Sequence, residues 1–195
     1  MKVIGILGSP RRGGNTEVLL DRALAGALEA GADTEKLALC DYDFSGCNEC
    51  NDCMDTGFCT IVDEMDVIYE AIERADRVIF ASPMFFMGVP AHAKAAIDRC
   101  QCYWALKYVL KQKFPRQPGS PARYGSFIGV GGTKGSNLFD GSILTLKYFF
   151  DAISVTPREE LYVLVRGMDE KGAVETREEE LLTAQASGMR LATLE

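Results

Sequence analysis

Residues 2–16, KVIGILGSPRRGGNT, decide the fold. Lys2–Gly8 is an apolar run with no polar alternation, as in a strand buried on both faces, and Gly8-Ser9-Pro10 stops it. Asn15–Ala30 then carries Leu19, Leu20, Ala23, Leu24, Ala27 and Leu28 at helical spacing, with Asn15 suited to the N-cap and Gly31 to the position after the C-cap. A buried strand that turns through glycines straight into a helix is the opening unit of an α/β protein.

The alternation continues outward from that stretch. Thr34–Leu39 reads as a second strand, and Asp63–Arg74 as a helix with Met65, Ile68, Tyr69 and Ile72 on one face. Arg77–Ser82 is a third strand ended by Pro83, and Pro90 opens a helix running to about Cys100. Tyr124–Val130 is a fourth strand closed by Gly131-Gly132. A helix over about Gly141–Ala152 and a strand near Glu160–Val165 follow, and the last helix carries Leu181, Leu182, Met189 and Ala192. Five strands alternating with helices predict a parallel sheet covered on both faces, in one domain over residues 1–195. Such sheets bind ligands at the carboxyl ends of their strands. Two stretches are irregular: a cysteine-rich loop at about residues 40–60, and Lys113–Ala122, an expected exposed loop with three prolines.

The composition of the 195 residues, 47% hydrophobic and 25% charged, is that of an ordinary globular protein. With 21 Lys and Arg against 28 Asp and Glu the net charge is −7, which argues against a nucleic-acid partner. No apolar stretch approaches the ~20 residues that span a bilayer, and Val3–Leu7 is too short for a secretory leader. No membrane partner and a cytoplasmic location are therefore expected. In that compartment the seven cysteines, four of them in residues 47–59, point to metal or redox chemistry rather than disulfides.

Two loops should share one rim of the sheet. In the first, Ser9, Arg11, Asn15 and Thr16 accompany a helix start whose free N–H groups suit a phosphate. It has neither the Gly-Lys-Ser/Thr of a Walker loop nor the G-x-G-x-x-G dinucleotide pattern, and a plain glycine turn with solvated arginines is the alternative. In the second, Ser82–Pro90 brings Phe85 and Phe86 between methionines, which either join the core or lie against something flat. A planar heteroaromatic ring beside a phosphate would satisfy both loops.

The segments GSPRRGGNT (8–16), SPMFFMGVPAHAKAAIDR (82–99) and the loop Gly131-Gly132-Thr133-Lys134-Gly135 resemble the flavodoxin-like NAD(P)H-dependent FMN reductase superfamily. The resemblance implies a three-layer sandwich with a five-stranded parallel sheet in the order 2-1-3-4-5, and FMN as cofactor. It places Ser9, Arg11, Asn15 and Thr16 at the phosphate, Pro83, Met84, Phe85 and Phe86 along the isoalloxazine, and Gly131 and Gly132 on its other side. FMN would carry the electron chemistry, so no catalytic side chain is required.

Cys47, Cys50, Cys53 and Cys59 form C-x2-C-x2-C-x5-C, a compact spacing that suits the corners of a cubane cluster better than the widely separated pairs of a zinc ribbon. This motif resembles that of the iron-sulfur flavoproteins, which implies a [4Fe–4S] cluster on those four residues. Cluster-free thiols, also found in related reductases, are the alternative. The reading is an oxidoreductase that passes electrons from NAD(P)H or ferredoxin to a small-molecule acceptor. A cluster-free FMN or quinone reductase, and a non-catalytic carrier or redox sensor, are the alternatives. Cys40, Cys100 and Cys102 read as small buried hydrophobes, and His92 as a capping or surface residue. Tyr103, Trp104 and Tyr108 read as a subunit interface, in keeping with the dimers or tetramers the resemblance implies.

Overall fold

The computed structural model describes residues 1–195. Its sheet is wholly parallel, in the order β2-β1-β3-β4-β5, the 2-1-3-4-5 order of flavodoxin-like folds. The strands are β1 (Lys2–Leu7), β2 (Asp33–Ala38), β3 (Arg77–Pro83), β4 (Tyr124–Gly131) and a last edge in two pieces, β5 (Thr156–Pro157) and β6 (Val163–Arg166). Both pieces pair with β4, so the expected fifth strand is interrupted. The expected strand near 160–165 begins late because Glu159–Leu161 is a 3-10 turn. There the Leu161 carbonyl accepts from the hydroxyls of Ser126 (2.7 Å) and Ser187 (2.6 Å).

Alternate residues of each strand enter opposite cores. Ile4, Ile6, Val78, Phe80 and Phe127 face α3 (Met65–Arg74), α4 (Ala91–Arg99), α5 (Gln101–Tyr108) and α6 (Asp140–Ala152). Val3, Leu7, Ile79, Ala81, Ile128 and Val130 face α1 (Asn15–Glu29) and α7 (Glu178–Thr193). Two-sided burial accounts for the apolar runs of the central strands. α1 and α7 meet backbone to backbone: a Cβ on Gly188 would lie 1.8 Å from the Ala23 carbonyl oxygen, and one on Gly26 2.0 Å from that of Gln185.

The helix expected from Pro90 to about Cys100 is α4, and α5 follows it at once, Cys100 being the C-cap of the first and the N-cap of the second. Within the cysteine-rich stretch a four-residue helix, α2 (Cys53–Thr56), ends on Gly57, whose φ of +76° suits glycine. α2 packs on α5, with Gly57 against Leu106. Buried Arg77 closes the C-terminal region, donating to the carbonyls of Leu191 (2.9 Å) and Ala122 (2.6 Å). No helix is long and apolar enough to cross a membrane.

Candidate functional site

The carboxyl ends of β1, β3 and β4 open on one cleft of about 250 Å³. Ser9, Arg11, Asn15, Thr16, Pro83, Met84, Phe85, Gly131 and Gly132 line it. Phe86 does not. Phe85 and Gly88 close a tight turn by exchanging both backbone hydrogen bonds (2.8 and 3.0 Å), which leaves the Phe86 ring fully exposed to solvent. Both central residues of that turn, Phe86 and Met87, have left-handed backbone with φ of +50° and +62°.

The phosphate half of the cleft is the start of α1. Gly14, not Asn15, is the N-cap, and no side chain caps this end. The amides of Asn15 and Thr16 consequently stand free at the positive end of a fifteen-residue helix. Arg11 is steered over the loop by donation from Nη2 to the Asp169 carbonyl at 3.2 Å. The Asn15 side chain faces the neighbouring loop, with Nδ2 donating to the Glu170 carbonyl (2.8 Å) and Oδ1 accepting from the Val174 amide (3.2 Å). Its contribution to an anion is thus its backbone N–H. Glu17, one turn in, accepts from the Gly13 amide (2.6 Å) and from Lys36 (2.8 Å). Burial alone would raise its pKa, but these partners hold it below the usual carboxylate value. The other half is apolar, walled by Met84, Phe85, Val130 and Met168. Free helix amides with an arginine, beside a slot of apolar side chains, fit the phosphate and ring of FMN. Met168 and Asp169 are not legible in the sequence, because the loop after β6 carries no motif and reaches this rim only through the pairing of β6 with β4.

The cysteine motif builds a second cleft of about 400 Å³ that shares no lining residue with the first. Cys47, Cys50, Cys53 and Cys59 all line it. The backbone turns at each step: Glu49 and Asn51 adopt left-handed φ of +59° and +67° on either side of Cys50. Local polar contacts hold these turns, the Cys50 amide donating to Asn48 Oδ1 (3.2 Å) and the Glu49 amide to Cys47 Sγ (3.5 Å). Thr60 Oγ1 donates to Asp52 (2.8 Å). Cys47 and Cys50 are exposed, whereas Cys53 and Cys59 are half-buried.

No three His, Cys, Asp or Glu side chains of the chain converge as they would on a single metal ion. The wall of the cleft also carries a buried cation. Arg99 is 1% exposed, yet its Nε is buried without any acceptor. The four cysteines of the motif and this unused N–H thus line one cleft.

Cys102 also lines this cleft, besides being buried as expected, and burial pushes its thiol up to about 12. Cys100 is buried too, but Cys40 is exposed, contrary to expectation, because it lies in a 3-10 turn just beyond β2. His92 neither caps nor floats on the surface: its ring stacks on Phe44 at 4.3 Å and Nε2 lies 2.7 Å from the Leu39 carbonyl oxygen. Tyr103 belongs to the core, donating to Glu73 at 2.9 Å, while Trp104 and Tyr108 are each 40% exposed.

Residues 1–139 match the NADPH-dependent FMN reductase family. An iron-sulfur flavoprotein of Methanocaldococcus jannaschii is 44% identical over 99 residues, covering 51% of each chain. One from Methanosarcina thermophila is 36% identical over 134 residues, 69% of this chain and 65% of that one. The matched region thus spans about half to two thirds of those relatives. Among solved structures, the NAD(P)H:quinone oxidoreductase from Methanothermobacter marburgensis superposes with a TM-score of 0.73 at 18% identity, covering 100% of this chain and 98% of that one, and so shares the fold. With most of its length matched, the chain belongs to the NADPH-dependent FMN reductase family, near the iron-sulfur flavoproteins.

Proposed function

We propose that this chain is an FMN-dependent oxidoreductase with a [4Fe–4S] cluster, passing electrons from NAD(P)H or ferredoxin to a small-molecule acceptor in the cytoplasm. The observation that carries the reading is the pair of clefts, one with free helix amides beside an apolar slot, the other lined by four cysteines of one compact motif. Bound FMN would supply an acceptor of two electrons that can release them singly, and a cluster would supply a one-electron store. The protein's own part is binding, orientation and electrostatics. The α1 amides and Arg11 hold the phosphate, and Ser9 and Thr16 flank it. Pro83, Met84 and Phe85 line one side of the ring and Gly131 and Gly132 the other. Cys47, Cys50, Cys53 and Cys59 ligate the cluster. Phe86 stands at the mouth rather than along the ring. Two or four copies associate through the α5 face that exposes Trp104 and Tyr108.

A cluster-free reductase is the second reading, favoured by the exposure of Cys47 and Cys50. Iron, sulfide and flavin counted per chain on anaerobically purified protein separate the two. About four irons and four sulfides with one flavin are expected; flavin without iron would leave the cluster-free reductase.

A further inference from the structure

Arginine has five N–H donors in one rigid fork, and Arg99 commits four of them. Nη1 donates to the Ser45 carbonyl (3.1 Å) and Asp63 Oδ2 (2.7 Å), and Nη2 to the Ile61 carbonyl (3.1 Å) and Asp63 Oδ1 (3.1 Å). The fifth, on Nε, is buried and has no acceptor. A buried donor left unpaired is rare in folded proteins and wants an explanation. The surroundings offer one. Arg99 is a wall of the cysteine cleft, and the Cys59 side chain lies against its guanidinium. With its η groups fixed on both stems of the cysteine loop, the fork cannot swing Nε elsewhere.

We propose that Arg99 is a positioning residue for the [4Fe–4S] cluster: its Nε–H donates to sulfur in the cysteine cleft, the Cys59 thiolate or a cluster sulfide, and this hydrogen bond raises the reduction potential. The inference rests on the cluster reading above. Reduction adds one electron to the cluster with no proton transferred, so the reduced state is more negative by one charge. A hydrogen bond from a fixed cation at its edge favours that state. It offsets the carboxylates of Glu49, Asp52 and Asp55 carried by the same segment. Lysine could keep the charge but offers neither the fork nor an Nε donor.

The test uses whole protein containing arginine labelled with 15N in the guanidino group, reduced with dithionite and studied by pulsed electron paramagnetic resonance. Only one arginine lines the cleft, so a 15N coupling to the reduced cluster is expected from Arg99. Its absence in protein holding four irons per chain overturns the proposal while leaving the cluster standing. Protein without iron overturns both. In Arg99→Lys the coupling should vanish and the one-electron equilibrium should shift about tenfold towards oxidised cluster, which is about 59 mV. An unchanged potential in a variant that keeps its iron overturns the tuning. If that variant does not fold, the labelled native protein decides alone.

Discussion

Asp63 grips Arg99 with both carboxylate oxygens, Oδ2 at 2.7 Å from Nη1 and Oδ1 at 3.1 Å from Nη2. The same guanidinium holds the carbonyls of Ser45 and Ile61, so this one pair closes the cysteine loop at both stems. Burial alone would raise the Asp63 pKa, but hydrogen bonds from Arg99 and from the Ser45 and Met65 amides hold it below the usual carboxylate range.

Asp63→Ala should therefore be costly out of proportion to its place in a loop. Arg99 would keep its charge in a site where its side chain is fully buried, without its carboxylate partner. Removing one partner of a buried pair costs about 3–5 kcal/mol, and the partial exposure of Asp63 puts the expectation near 3 kcal/mol. Urea unfolding of iron-free protein measures it without interference from the metal. A loss under about 1 kcal/mol would mean that the loop stems are held by something else.

Arg11→Ala should weaken FMN binding by about 10- to 100-fold, the worth of one hydrogen bond to a charged group at ~1.5–3 kcal/mol. Asn15→Ala should instead act through the fold, because its amide ties α1 to the 170–174 segment. Quenching of flavin fluorescence on titration gives both affinities, and thermal unfolding of the flavin-free proteins gives their stabilities. An Arg11 variant that binds flavin like the parent would remove the phosphate from this loop.

Asp76 should shape the acid limb of stability. Its carboxylate accepts from the Lys2 amide (2.8 Å) and pairs with Arg116 (2.5 Å), joining the start of β1 to the proline-rich loop. Burial opposes ionisation, yet these partners outweigh it and lower the pKa. A carboxylate with a depressed folded pKa stabilises above its unfolded value, ~3.9, and loses that contribution as pH falls through the folded value. Asp76→Asn should thus lose stability near neutral pH and show a shallower decline below about pH 4. Equal slopes for the two proteins would show that Asp76 does not carry the linkage.

What the sequence could and could not disclose follows from the range of each interaction. β1, the turn after it and α1 are local, and their apolar runs and spacing announce them within residues 2–29. The cysteine motif is local as well. Arg99 and Asp63 are not: they are 36 positions apart, each looks like a surface charge in its own helix pattern, and only the folded chain makes them a buried pair. The α1–α7 contact is equally silent, since Gly26 and Gly188 read as weak points of helices until the two backbones are seen to touch. Phe86 is silent in another way, because an aromatic beside a ligand loop suggests a wall of the cleft, whereas a two-residue turn aims it at solvent.

Gly188→Ala should make that silent contact measurable. Its added methyl would meet the Ala23 carbonyl oxygen at 1.8 Å and force the helices apart. Overpacking of this kind costs about 1–3 kcal/mol, and backbone as the obstacle puts the expectation at the upper end. Chemical denaturation checks it; a stable variant would mean α7 can shift without penalty.

The turn at Phe86-Met87 carries the last prediction. Two central residues with positive φ are the pattern that Asn-Gly fits best, and here both places are held by side chains that resist it. Left-handed backbone costs an ordinary residue about 1–2 kcal/mol, and Phe86 recovers none of it by burial, being fully exposed. The turn persists because its surroundings fix it: the Met87 carbonyl oxygen packs so closely on the start of α6 that a Cβ on Gly141 would lie 2.6 Å away. Backbone strain of this kind persists only where the surroundings over-determine it. Phe86→Asn with Met87→Gly should therefore raise the unfolding midpoint by a few degrees, at about 2–4 °C per kcal/mol for a chain of this size. The same double variant should slow flavin reduction by NAD(P)H, because the exposed ring at the cleft mouth is gone. A gain in stability with unchanged reduction kinetics would leave the strained turn without a role in catalysis, and no gain at all would show that the backbone is not strained.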